Sequence, residues 1–248
     1  MSARDWERLA QLQPHYAVLT EERFRAEKLD EAALREFFES GVSDAGMLFT
    51  LIEQYLGGPF AARDVLDFGC GAGRLSLALA ARAERVVGID VAPTMLSIAR
   101  RHAQERGVEN VRFTETPGDE TFDLICSLIV FQHIPVAAGE AILRDLLRRV
   151  RPGGVVALHF ALWRPGGPLR KFARILRGAS PLLHRTLARL RGERDPLPYM
   201  QMNEYSRERI VRAMQEAGFR EPMVKETRQK EIVGGIFVGQ RGWEGGWD

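Results

Sequence analysis

Residues 64–74, Asp64-Val65-Leu66-Asp67-Phe68-Gly69-Cys70-Gly71-Ala72-Gly73-Arg74, run a short apolar segment straight into a glycine-rich turn. A second apolar segment, Val86-Val87-Gly88-Ile89, follows and ends in a single carboxylate, Asp90. A strand, a glycine loop, a helix, a strand and a terminal acid predict a βαβ unit that binds a nucleoside. The loop is Gly69-x-Gly71-x-Gly73, with the acid Asp67 just ahead of it. A dinucleotide fingerprint needs its third small residue one place later, where this chain has Arg74. That departure points away from a nicotinamide oxidoreductase. A tight strand–helix turn with no ligand is the bland alternative for the three glycines.

The rest of the chain keeps the same rhythm. Asp30 is placed to cap a helix over Glu31–Glu39, and Ser43 to cap a second segment that runs to Leu56 and stops at Gly57-Gly58. Strands are expected at Val65–Phe68, Arg85–Ile89, Val111–Glu115, Phe122–Ser127 and Val155–Phe160. Helices are expected over Arg74–Arg82, from Pro93 to Gly107, and over Ala137–Val150. Arg151-Pro152-Gly153-Gly154 reads as the turn into the fifth strand. Alternating elements of this length imply an α/β fold with a mostly parallel sheet covered on both faces. Ser206 then caps a helix ending near Gly218, and Met223–Thr227 with Ile232–Val238 reads as an antiparallel hairpin at one edge.

Residues 161–205 break this pattern. After Pro165-Gly166-Gly167-Pro168 come two amphipathic segments, one with Leu169, Phe172 and Leu176 on its apolar face, the other with Leu183, Leu187 and Leu190. Arg170, Lys171, Arg174, Arg177, Arg185, Arg189, Arg191 and Arg194 fill the opposite faces. Three readings stay open: a lid over a substrate, a peripheral membrane contact through 165–194, and a solvated helix pair. Aromatic residues suited to stacking bases are sparse there, and a net charge of +2 is too balanced to imply nucleic acid.

At 248 residues the chain can bury a sizeable core, and it reads as a single domain over 1–248. Its parts are a helical cap (1–60), a core (61–160), a helical insert (161–205), and a last helix with the C-terminal hairpin (206–248). Two cysteines, Cys70 and Cys126, in apolar contexts offer no disulfide framework. With no apolar leader and no run long enough to span a bilayer, a cytoplasmic location is expected.

Four landmarks occur in order: Leu66–Gly73, Gly88-Ile89-Asp90, Phe122-Asp123-Leu124-Ile125 and Arg151-Pro152-Gly153-Gly154. Together they resemble the class I S-adenosylmethionine-dependent methyltransferases, the Rossmann-like kind, in its bacterial small-molecule branch. The resemblance covers about residues 60–240 and implies a three-layer sandwich with strand order 3-2-1-4-5-7-6 and strand 7 antiparallel. It implies S-adenosylmethionine as cofactor, S-adenosylhomocysteine as product, and no metal. By that resemblance Gly69, Cys70, Gly71 and Gly73 form the loop beneath the cofactor, and Asp90 takes the ribose hydroxyls. Val91 and Met95 flank the adenine, Asp67 lies near the cofactor's amino acid end, and Ser127 borders its methionine part. Relatives carry an acid just after strand 3; Asp119 stands in the right connection here, although it reads equally as a solvated turn residue.

After strand 4 comes Ser127-Leu128-Ile129-Val130-Phe131-Gln132-His133-Ile134-Pro135, which in the family borders the acceptor. It is not the Asn/Asp-Pro-Pro-Tyr signature of methyltransferases acting on adenine or on glutamine amides. His133 is a candidate base for a hydroxyl acceptor, or a histidine packed under the next helix. His159, at the end of strand 5, is the second candidate. Near the start, Trp6 and Pro14-His15-Tyr16-Ala17-Val18-Leu19 match an opening whose helices close over the cofactor in relatives. Tyr16 is either a partner of the cofactor carboxylate or ordinary helix packing. The reaction expected is methyl transfer to a small molecule, with a hydroxyl favoured over an amine. The arginine-rich insert suggests an anionic acceptor. A regulatory protein that binds the cofactor without transfer is the alternative of another class. The oligomeric state stays open.

Overall fold

The computed structural model describes residues 1–165, 197–229 and 231–243. The two amphipathic segments of the insert, with all their basic side chains, lie outside the described residues. Seven strands form one sheet: β1 (Ala62–Phe68), β2 (Ala83–Ile89), β3 (Val111–Thr114), β4 (Phe122–Ser127), β5 (Val150–Trp163), β6 (Met223–Gln229) and β7 (Ile232–Gln240). Their order is 3-2-1-4-5-7-6 as expected, with β7 antiparallel to both neighbours. The described α-helices are α1 (Ala3–Leu12), α2 (Pro14–Val18), α3 (Glu31–Leu56), α4 (Arg74–Ala80), α5 (Pro93–Glu105), α6 (Val136–Arg148) and α7 (Arg207–Glu216).

Alternation along the central strands sorts side chains to two faces. Leu66, Ile125, Val156, Leu158 and Phe237 share one buried cluster with Leu143, Leu147, Ile210 and Met214 of α6 and α7. Their chain neighbours Val65, Leu124, Val155, Ala157 and Val238 share another with Leu48, Ile52 and Leu79 of α3 and α4. This is the three-layer sandwich. Each such side chain contributes roughly 2 kcal/mol by leaving water. A third cluster joins Leu9, Phe24 and Phe37 to Ala72, Ala92 and Met95, seating the N-terminal elements over the glycine loop and the start of α5.

Two expectations are corrected. The break at Ser43 does not occur; one 26-residue helix runs from its Asp30 cap to a left-handed Gly57. Gly41 serves close packing instead, since a Cβ there would lie 2.3 Å from the Arg74 carbonyl oxygen. The Arg151–Gly154 turn lies within β5, not before it. The register jumps from Phe122↔Val150 to Leu124↔Val155, so the turn is an irregularity inside the paired strand.

Arg74 also finds its reason. Its buried guanidinium points at α3, pairing with Asp44 at 2.6 Å and Ser40 Oγ at 3.1 Å. Asp123, part of the third landmark, works at the amino ends of the strands: it accepts from the Arg63 and Asp64 amides and pairs with Arg151 at 2.9 Å. That leaves the opposite, carboxyl end of the sheet for a ligand.

Candidate functional site

The order in which strands are added reverses between the parallel neighbours β1 and β4, because β2 and β3 lie to one side of β1 and β4 and β5 to the other. Loops leaving the carboxyl ends of β1 and β4 therefore diverge and open a crevice. A cavity of about 300 Å³ occupies it. Its floor is Phe68, Gly69 and Gly71; one wall is Ile89, Asp90, Val91, Met95 and Glu115; the other is Leu128–Val130, His133–Pro135 and Ile142. Met1, Ala3 and Trp6 at the start of the chain, with Ala17 and Val18 of α2, close the top.

The glycine loop is pinned by backbone. Amides of Gly69 and Cys70 both donate to the Ile89 carbonyl, at 2.8 and 2.9 Å. Gly69, Gly71 and Gly73 all have positive φ, a conformation side chains resist. A Cβ at Gly69 would come within 2.4 Å of Val130, and one at Gly71 within 2.7 Å of Val18. The loop thus presents bare backbone to the cavity. Asp90 accepts from the Gly71 amide at 3.0 Å and the Ala92 amide at 2.9 Å, which fixes its carboxylate on the wall. Desolvation raises its pKa, while those amides pull the other way by stabilising the charged form. Val91 is 55% exposed beside it, an apolar shelf suited to a planar base.

Gly69, Gly71, Asp90, Val91, Met95 and His133 are brought together here. Cys70, Gly73, Ser127, Tyr16, Asp67, Asp119 and His159 do not line the cavity. Cys70 is buried in a cluster with Leu77, Leu96 and Phe113. Gly73 starts α4, and Ser127 Oγ donates to the Phe68 carbonyl at 2.9 Å. Arg25 stacks on the Tyr16 ring at 4.3 Å. Asp67, fully buried, accepts from Ser76 Oγ at 2.6 Å, and burial pushes its pKa up to about 6. His159 pairs through Nε2 with Thr227 Oγ1 at 2.9 Å inside the sheet, which removes it from the acceptor side. Glu115, directly after β3, lines the cavity, and Asp119 does not. Its signal was adjacency to the strand end, masked by counting it as the last strand residue.

His133 sits in a short 3₁₀ turn, Phe131–His133, after β4. Its Nδ1 lies 2.8 Å from the Gln201 carbonyl. A carbonyl only accepts, so Nδ1 carries the proton and Nε2 the lone pair. Gln132 Nε2, 3.3 Å away, donates to that lone pair. The Trp6 indole stands edge-on at 5.2 Å. Burial lowers the His133 pKa to about 4, so the ring is neutral at pH 7. Residues 201–205 strap this turn down: the Asn203 amide donates to the Gln132 carbonyl at 2.6 Å, and the Tyr205 hydroxyl to the Ile134 carbonyl at 2.8 Å. Trp6 was noted in the sequence only as part of the opening; its contact with His133 spans more than a hundred residues. Ile129, with φ 64, is the one non-glycine residue in the left-handed region among the described residues.

Glu7 of α1 ties the cap to the other wall, accepting from the Thr94 amide at 3.0 Å and its hydroxyl at 2.5 Å. Among the described residues no group of His, Cys, Asp and Glu is arranged to hold a metal, and no helix is long and apolar enough to cross a membrane.

Comparison with known proteins adds the following. Residues 65–154 match the model of a methyltransferase domain. A ubiquinone biosynthesis O-methyltransferase of Acinetobacter baylyi is 33% identical over 112 residues, covering 42% of this chain and 46% of that protein. One from a Methylobacterium species is 37% identical over 131 residues, covering 50% of each. The chain thus spans about half the length of the curated relatives it matches. Among solved structures, magnesium protoporphyrin IX methyltransferase from Synechocystis, with S-adenosylmethionine bound, superposes with a TM-score of 0.58 at 18% identity, covering 97% of this chain and 98% of that one. The N-methyltransferase NodS of Bradyrhizobium japonicum, with S-adenosylhomocysteine bound, gives 0.54 at 16% identity, covering 92% and 98%.

Proposed function

We propose that this chain, whose residues 65–154 match the model of a methyltransferase domain, is an S-adenosylmethionine-dependent methyltransferase that acts on the hydroxyl of a small molecule. The observation that carries this reading is Asp90, held by two backbone amides on the wall of a cavity floored by bare glycine backbone. The fit is chemical: a carboxylate there takes a ribose diol, Val91 and Met95 offer apolar surface to adenine, and the acidic wall suits a cationic cofactor. Glu115 takes the place Asp119 was expected to fill. The bound cofactor supplies an activated sulfonium methyl, which leaves the sulfur as a neutral thioether.

His133 handles the proton. Its tautomer, set by Gln201, puts the lone pair on Nε2, and an acceptor hydroxyl takes that lone pair by displacing the Gln132 side-chain amide, 3.3 Å away. With a pKa of about 4 it does not ionise a phenol of pKa ~10 in advance; that would cost about 8 kcal/mol. The ring instead orients the hydroxyl. As the oxygen bonds to the methyl carbon and the carbon–sulfur bond breaks, the oxygen becomes strongly acidic, and a weak base suffices to take its proton. The cap and the post-strand-4 loop exclude water from this step. Hydroxyl rather than amine acceptance draws support from the name of the sequence relatives, O-methyltransferases.

Calorimetry with S-adenosylmethionine tests the cofactor, and a screen for S-adenosylhomocysteine release over hydroxylated and amino compounds tests the transfer. Binding in the micromolar range with release on hydroxyl compounds is expected. Absence of binding ends the reading; release on amines alone moves it to N-methylation.

A further inference from the structure

The charge of the cavity wall restricts the acceptor more sharply than its hydroxyl does. Asp90 and Glu115 line the cavity, and among the described residues no lysine or arginine does. The α-amino group of Met1, at the rim, is already engaged with Gln201 Oε1 at 2.8 Å, and desolvation lowers its pKa. Around His133 the surface is hydrocarbon and indole: Trp6, Leu128, Ile129, Ile134 and Ile142. A carboxylate or phosphate packed against this hydrocarbon wall would shed its water with no lysine or arginine of the described residues lining the cavity to replace it. An uncharged apolar body loses nothing comparable and gains by burial against Trp6 and the aliphatic wall.

We infer that the acceptor is an uncharged, largely apolar molecule whose hydroxyl reaches His133 while its body packs against Trp6 and the Leu128–Ile142 wall. This rests on the methyltransferase reading above and differs from the anionic acceptor that the arginine-rich insert, outside the described residues, suggested in the sequence. Trp6 is then a specificity-determining residue: it touches His133 and lines the cavity, and it sits on a helix held to the opposite wall by Glu7.

The test uses the full chain saturated with S-adenosylhomocysteine, so no turnover is needed. Three hydroxylated scaffolds serve as probes, one aromatic, one sugar-like and one straight-chain, each as its free carboxylate and its methyl ester. Binding is read from the part of the tryptophan fluorescence that Trp6→Phe removes. At least one apolar ester should bind about tenfold or more tighter than its carboxylate, with the sugar-like pair weakest. Trp6→Ala should raise the Kd for that ester about tenfold, read by calorimetry, and leave the affinity for S-adenosylhomocysteine near wild type. Equal or tighter binding of a carboxylate overturns the inference. Failure of every ester to bind, while S-adenosylhomocysteine binds, also overturns it. Failure of S-adenosylhomocysteine itself to bind counts against the cofactor reading instead.

Discussion

The two walls of the cleft are made of different material. The cofactor wall is backbone and carboxylate: glycine amides fastened to the Ile89 carbonyl, and Asp90 fastened to two further amides. The acceptor wall is side chain: Trp6, His133 and a run of aliphatics, positioned by contacts between segments far apart in the chain. Backbone geometry follows from strand pairing and positive-φ glycines, so chains that share the fold share it. Side-chain geometry depends on each residue present, so it is where one such protein differs from the next.

Variants on each wall should therefore fail differently. The largest effect is expected from Asp90→Ala, which removes two charge-assisted hydrogen bonds to a ribose and should weaken cofactor binding roughly 10³-fold in calorimetry. Binding within tenfold of wild type would strip Asp90 of that role. His133→Ala should lower kcat about 100-fold while cofactor affinity stays put. If affinity falls with it, the two walls are not separable.

Acid acts with opposite sign on His133 and on Asp67, which is buried behind the glycine loop. His133, held neutral with a folded pKa of about 4 against an ordinary 6.5, contributes stability that is whole above pH 6.5 and lost as pH falls toward 4. Asp67, raised to about 6 from 3.8, carries a penalty that is whole above pH 6 and gone below 3.8, so acid relieves it. Each is worth about 3 kcal/mol at most. His15 and His159, also lowered to about 4 by burial, share the sign of His133. Urea midpoints should thus fall from pH 7 to 5. Asp67→Asn should steepen that fall by about 1 to 2 kcal/mol, and an unchanged slope would refute the Asp67 assignment.

The smallest effect concerns Ile129. A β-branched residue at positive φ costs about 1–3 kcal/mol. Ile129→Gly should raise stability by about 1 kcal/mol after the entropy glycine adds, yet raise KM for the acceptor by removing an aliphatic contact. A variant both less stable and unaltered in KM would show that no strain is held there.

Much of the cofactor wall was legible because its signals are local. Glycines at fixed spacing, an acid at a strand end and a proline opening α5 each act within a few residues. Strand order followed from the resemblance, and the hydrogen-bonded register bears it out. Ser43 misled because a serine reads as a helix cap when the packing of one continuous α3 against α4, through Gly41 and Arg74, is not visible. The acceptor wall was legible in fragments. His133 was found, but the Gln201 carbonyl that sets its tautomer stands 68 residues on and carries no sequence signal, because any residue has a carbonyl. Glu115 was missed by a single residue of strand boundary.

The strap at 201–205 has a consequence for the protein as it is made. Everything the cofactor wall needs lies within residues 62–127, so it exists once those have left the ribosome. His133 gains its partner only when Gln201 follows, and the Gln132 carbonyl waits for Asn203. A nascent chain should therefore hold adenosylmethionine before it can dock an acceptor. Stalled chains of increasing length would show the two capacities appearing together if that order is wrong.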